Sequence, residues 1–125
     1  MASELRVNTL KDAAGNNSIA TSFVANGSAK VWAKATQADN SVYDSLNLTS
    51  ITDDGTGQLT FTIANNMANV NYGFTSTTQV TDCGGLNEAG TTATTTGTAE
   101  HQGRNSSGTN TDSNPVTIVI VGDLA

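Results

Sequence analysis

The chain has 125 residues, 5 Lys+Arg against 11 Asp+Glu for a formal charge of −6, and one cysteine. That length suits a single domain with a real core; the acidic balance argues against nucleic acid, which needs clustered Lys and Arg; and one Cys rules out an internal disulfide. Leu, Ile, Val and Phe make up only about a fifth of the residues, while uncharged Thr, Asn, Gly and Ser supply nearly half, a composition that suits pleated sheets with a polar exterior.

Residues 5–10, LRVNTL, alternate and read as a short strand. KDAAGNNS at 11–18 holds the Asp, Gly and Asn residues that close turns. IATSFVA at 19–25 resumes an extended pattern, so residues 1–25 are expected to form an N-terminal arm of strand, turn and strand. A hairpin of this kind is marginal alone, and Leu5, Val7, Leu10 and Ile19 are its candidates for packing against other subunits or for anchoring. NGS at 26–28 breaks the chain. AKVWAKA at 29–35 then places Val31, Ala33 and Ala35 on one face and Lys30, Trp32 and Lys34 on the other. Trp32 is either a buried anchor or a ring beneath the lysine stems.

SVYDSLNLTSI at 41–51 reads as one strand and TDDGTGQ at 52–58 as a strong turn. LTFTIA at 59–64 alternates strictly, with Leu59, Phe61 and Ile63 inward. VNYGFTSTTQV at 70–80 follows the connection at 65–69, with Val70, Tyr72 and Phe74 on one face. A polar zone then runs from 81 to 114, and from Gly90 to Asn114 it holds no Val, Ile, Leu, Met, Phe, Tyr or Trp. It is expected to be a long polar insertion, with the Thr run at 91–98 as its one candidate strand. Pro115 precedes VTIVIVGD at 116–123, the most apolar segment and the candidate central strand. No segment has helical periodicity with caps, and no solenoid repeat is present. The expected fold is all-β, an antiparallel β-sandwich of jelly-roll type over 26–125 with a short extended N-terminal β arm.

The chain offers little for catalysis. His101, the only histidine, sits next to Glu100 in a segment read as a surface loop, a poor platform for a serine triad, and Gly-x-Ser-x-Gly is absent. Asp53 and Asp54 fall in a turn and read as an Asx-type turn pair. Asp82, Cys83, Glu88 and His101 lack the spacing of a zinc site. No enzyme activity, cofactor or metal is expected. Polar side chains of the 81–114 segment, Asp82, Asn87, Glu88, His101, Gln102 and Arg104, are the candidates for contact with a receptor, most simply a glycan. No apolar run is long enough to cross a membrane, and the start MASELRV lacks the basic and apolar regions of a signal peptide.

SITDDGTGQLTFTIANNMANVNYGF at 50–74 resembles a domain of tail-fibre and related virion proteins of bacteriophages, marine and cyanobacterial ones especially. The pattern appears here as Asp44-Ser45-Leu46-Asn47, then Ile51 to Gly57, Leu59 to Ile63, and Met67 to Tyr72. GSAKVWAKA at 27–35 and VTIVIVGD at 116–123 look like the opening and closing strands of that domain. ELRVNTLKDAAGNNSIATS at 4–22 resembles the shaft or adaptor repeat set before it. The resemblance implies a non-enzymatic virion protein, made in the host cytoplasm and assembled as a homotrimer. It would be a tail fibre or fibre tip that touches a host surface glycan, or alternatively a capsid decoration protein that ties capsomers together. Its partners would be itself and other virion proteins. The chain departs from the pattern in its short anchoring region and long polar insertion.

Overall fold

The computed structural model describes residues 6–78, the backbone of 82–86, and residues 94–125. In chain order the elements are β1 (Thr9–Lys11), β2 (Ser18–Ala20), α1 (Thr21–Gly27), β3 (Ala29–Thr36), β4 (Ser41–Leu46), β5 (Leu48–Gly55), β6 (Gln58–Ile63), β7 (Gly73–Thr77), β8 (Asp82–Leu86), β9 (Thr98–Asn105) and β10 (Val116–Val121). Every pairing is antiparallel. β1 and β2 form a hairpin of their own, and the other strands make two four-stranded sheets, β4-β3-β10-β7 and β5-β6-β9-β8.

The core follows from alternation. Val31, Ala33 and Ala35 of β3, and Val116, Ile118 and Ile120 of β10, are buried on one face of the first sheet. Leu59, Phe61 and Ile63 of β6 and Ala99 of β9 are buried in the second. With Met67 they form a single apolar cluster to which both sheets contribute. Burying each Val, Leu, Ile, Phe or Met side chain of the cluster contributes about 1.5–3 kcal/mol, which is how a chain so poor in large apolar residues holds a fold. β10, the most apolar segment, is central in its sheet as its sequence implies.

Three sequence expectations change locally. Residues 41–51 are two strands in different sheets, separated at Asn47, whose φ of 57° turns the chain. Asn47 Oδ1 accepts hydrogen bonds from the backbone and side-chain N–H groups of Asn65 (2.8 and 2.9 Å), and its Nδ2 donates to Asn65 O (3.1 Å). Asn tolerates this left-handed backbone where most residues do not. Residues 21–27 are helical rather than extended. β7 begins only at Gly73, so Val70 lies outside it and is exposed, while Tyr72 and Phe74 pack on the core.

The largest difference concerns 81–114. Read as an insertion, it instead contributes β8 and β9 to the second sheet, with β9 lying between β6 and β8. β9 begins at Thr98, where the Thr run ends, and the small side chain of Ala99 is its one apolar contribution to the core. Ladder hydrogen bonds do not depend on side-chain polarity, so a polar strand is held when its neighbour supplies the apolar face. Leu59 and Phe61 of β6 do so here, paired with His101 and Ala99. The sheets mix two kinds of pairing: β3–β4, β5–β6 and β8–β9 are neighbours in sequence, whereas β3–β10, β7–β10 and β6–β9 join strands distant in the chain.

Candidate functional site

The 51–57 motif is structural, but only Thr56 and Gly57 form the turn: Asp53 and Asp54, read as a turn pair, lie in β5, whose pairing with β6 shifts register between Asp53 and Gly55. Asp53 Oδ1 accepts from Gly55 N at 3.0 Å, the expected Asx-type bond, and Asp54 Oδ2 accepts from Thr60 Oγ1 at 2.5 Å. Gly57, at φ 73°, donates to Asp112 Oδ1 (2.8 Å) and accepts from Gly103 N (2.7 Å). A Cβ on Gly57 would meet Gly103 O at 2.5 Å and Thr111 N at 2.8 Å, so both backbone conformation and space require glycine there. The Met67-to-Tyr72 spacing is structural too. Met67 is buried in the core, and Tyr72 OH donates toward Thr95 O and Thr98 O at 3.1 and 3.0 Å, fixing the entry to β9. Burial pushes the Tyr72 hydroxyl up to about 12, so it stays a donor.

Of the candidate receptor residues on β9, His101 lies on one face and Gln102 and Arg104 on the other. His101 is fully buried and faces the core beside Leu59. Its Nδ1 lies 3.2 Å from Ser76 Oγ on the opposite sheet, and burial pulls its pKa down to about 4, so the ring is neutral. The loop reading of His101 is thereby corrected: a buried ring offers no atom to a surface partner. Gln102 and Arg104 face the other way, half-buried and exposed, and Arg104 Nε donates to Gln102 Oε1 at 3.0 Å. Asp82 lies in β8 at the register position opposite Asn105, one residue from Arg104. Asn87 and Glu88 lie outside the described residues. Glu100 is buried beside Thr60 on this same face of β9. Among the described residues there is no group of three His, Cys, Asp or Glu side chains that could hold a metal ion, and no helix is long and apolar enough to cross a membrane.

The arm is the second candidate region. Asp12 organises its turn: the carboxylate accepts from Asn16 N (2.9 Å) and Asn17 Nδ2 (2.7 Å), and the Asn17 amide foremost holds the Asp12 pKa below its ordinary value. This pairs Leu10 with Ile19 across the hairpin. Thr21 Oγ1 donates to Val7 O and Asn8 O, tying the helix start to the hairpin. Lys30 Nζ donates to Ala25 O and Ser28 O, closing the helix end with a cation. α1 buries none of its residues. Val7, Leu10 and Ile19 are exposed, and so are Phe23 (72%) and Val24, which the extended reading of 19–25 left out. Leu5 lies outside the described residues.

A third surface was half legible. The register sets Leu46, Trp32, Val119 and Thr75 in one row across the first sheet, on the face opposite its buried residues. Leu46 and Val119 are exposed, and Trp32 is half-buried. Lys34 Nζ lies 5.7 Å from the centroid of the Tyr43 ring, beside the row. Alternation put Trp32 on one face with two lysines and left open whether its ring was a buried anchor; its apolar neighbours came from other strands. No family model, curated protein or solved structure matches the chain.

Proposed function

We propose that this chain is a non-enzymatic structural protein of a bacteriophage virion. In this reading it is a tail fibre or fibre tip whose two sheets stack as a sandwich head and whose arm joins copies into a homotrimer. The observation that carries the reading is the arm. From Val7 to Ser28 its side-chain and turn hydrogen bonds stay within the arm or reach only to Lys30, and five large apolar side chains on it face solvent. A two-stranded hairpin and a seven-residue helix are each marginal alone, so the arm suits a segment that orders against other subunits. The turn and strand patterns at 44–74 support the virion class by resemblance. In this reading Gln102 and Arg104, on the face of β9 opposite His101, would be among the side chains that touch a host glycan.

Gold-labelled antibody against this protein on intact particles, viewed by electron microscopy, tests the reading. Label at the tail or its tip is expected. Label over the head would make it a capsid decoration protein, a role the exposed strand edges of β1 and β2 would also serve by pairing with a capsid sheet. Unlabelled particles would sink the virion reading altogether.

A further inference from the structure

We propose that Asn26 deamidates spontaneously and that the reaction unwinds α1. The backbone nitrogen of Gly27 attacks Cγ of Asn26, the Cγ–Nδ2 bond breaks, and ammonia leaves with the Gly27 amide proton. Water then opens the five-membered imide, either to aspartate or to isoaspartate, in which the main chain runs through the side chain. Water is the only reactant consumed, and no group outside the arm takes part.

Sequence and structure together single out this position. The chain holds fourteen asparagines, and only Asn26 precedes a glycine, the residue whose lack of a Cβ leaves its nitrogen open to attack. Asn47 and Asn105 show the opposite case. Asn47 Oδ1 is held by the N–H groups of Asn65, and Asn105 Oδ1 by those of Ser107 and Thr109 at 3.0 Å. Asn26 is exposed, and among the described residues its side chain makes no hydrogen bond. With Ser22, Phe23 and Gly27 it lines an open groove of about 390 Å³, so water reaches the imide. Nothing stands within 4 Å of where a Cβ on Gly27 would be.

The helix is the one obstacle, and it is weak. Helical backbone points the Gly27 nitrogen into the hydrogen-bond ladder and away from the Asn26 side chain, so the last turn must open before the ring closes. α1 has seven residues, no side-chain cap at its start and no buried residue. Isolated helices shorter than roughly 12–15 residues are marginal, and terminal turns open at almost no cost. The last turn is closed by Ser28 N donating to Val24 O at 3.1 Å and by Lys30 Nζ donating to Ala25 O and Ser28 O. Either product weakens it further. Aspartate sets an anion at the negative end of the helix, and isoaspartate adds a backbone carbon that breaks the i to i−4 register. The modification therefore runs one way, toward an unwound arm.

Mass spectrometry of the full chain tests this. The wild type is held folded in mildly alkaline buffer, and a second sample is held unfolded in guanidinium chloride as the reference for an unprotected Asn26. Trypsin then releases the peptide from Asp12 to Lys30. Electron-transfer fragmentation places any gain of one mass unit and separates isoaspartate from aspartate. Conversion at Asn26 is expected in the folded chain within about tenfold of the unfolded rate, with isoaspartate in excess. Gly27→Ala, at a position with ordinary φ and open space, is expected to fold and to slow conversion by about tenfold or more. As Asn26 converts, the Ser28 amide should exchange its hydrogen faster. An Asn26 that stays intact in the folded chain while the unfolded one converts would overturn the proposal, because the helix would then be a stable shield. Conversion first at Asn16 or Asn17, in the same peptide, would overturn it too, and so would a rate unchanged by Gly27→Ala.

Discussion

β10 and β9 each lie between two partner strands, yet one is Val-Thr-Ile-Val-Ile-Val and the other is Thr-Ala-Glu-His-Gln-Gly-Arg-Asn. β10 carries its own apolar face, and Val116, Ile118 and Ile120 enter the core at every second position. β9 carries almost none. It is placed by its ladder to β6, by the Gly103–Gly57 backbone hydrogen bond at its far end, and by close packing over Gly103, where a Cβ would stand 2.4 Å from Ser113 Oγ. Hydrophobic burial specifies the first strand; backbone pairing and steric fit specify the second. A central strand need not bring apolar side chains when the strand beside it brings enough.

Ile118→Ala should show the largest effect. Ile118 is fully buried and pairs with Ala33 and Ser76, both too small to move into the space it leaves. A loss of about 4 kcal/mol is expected, in the upper part of the usual range for removing a buried Ile. Urea denaturation reads it; a loss under about 1 kcal/mol would mean that β10 is not the centre of the core.

The matching experiment on β9 uses acid. His101 has a folded pKa of about 4 against 6.5 unfolded, because burial disfavours the imidazolium. The unfolded chain therefore binds more protons between those values. Stability from this group is complete above pH 6.5, falls as the pH drops, and is fully lost below pH 4. The difference amounts to about 3 kcal/mol. Urea midpoints for the wild type and His101→Leu, followed across that window, should diverge, with the variant flatter. Parallel curves would mean that His101 is hydrated and that β9 is not an interior strand.

These two strands also mark how far the sequence could be read. Period-two alternation is a local signal, so β3, β6 and β10 and their inward residues were legible, as was the turn before Gln58. β9 was not, because what buries it is Leu59 and Phe61, some forty residues earlier. His101 failed for the same reason: a polar neighbourhood in sequence became an apolar one in space. The helix at 21–27 has neither a side-chain cap nor a buried face, the two signals by which a helix is found in sequence. Val7, Leu10 and Ile19, expected to pack against other subunits or to anchor the arm, are exposed in the single chain, as are Phe23 and Val24, which the extended reading of 19–25 did not single out.

Asn47, where the chain leaves the first sheet for the second, separates the two rules at a single residue and should give the smallest effect. Its backbone is left-handed, and its amide exchanges hydrogen bonds with Asn65. Replacement by Gly keeps the backbone and loses the amide, for about 1 kcal/mol. Replacement by Ala loses the amide and adds the strain of a Cβ in that conformation, for about 2 kcal/mol in all. Ala should therefore be worse than Gly, the reverse of their order in ordinary strand positions. Equal losses would assign the corner to the hydrogen bonds alone. If Ala were as stable as wild type, the crossing between sheets would be fixed by the packing of Leu48 and Ile51 on the core, and the corner would belong with β10 under burial rather than with β9 under backbone geometry.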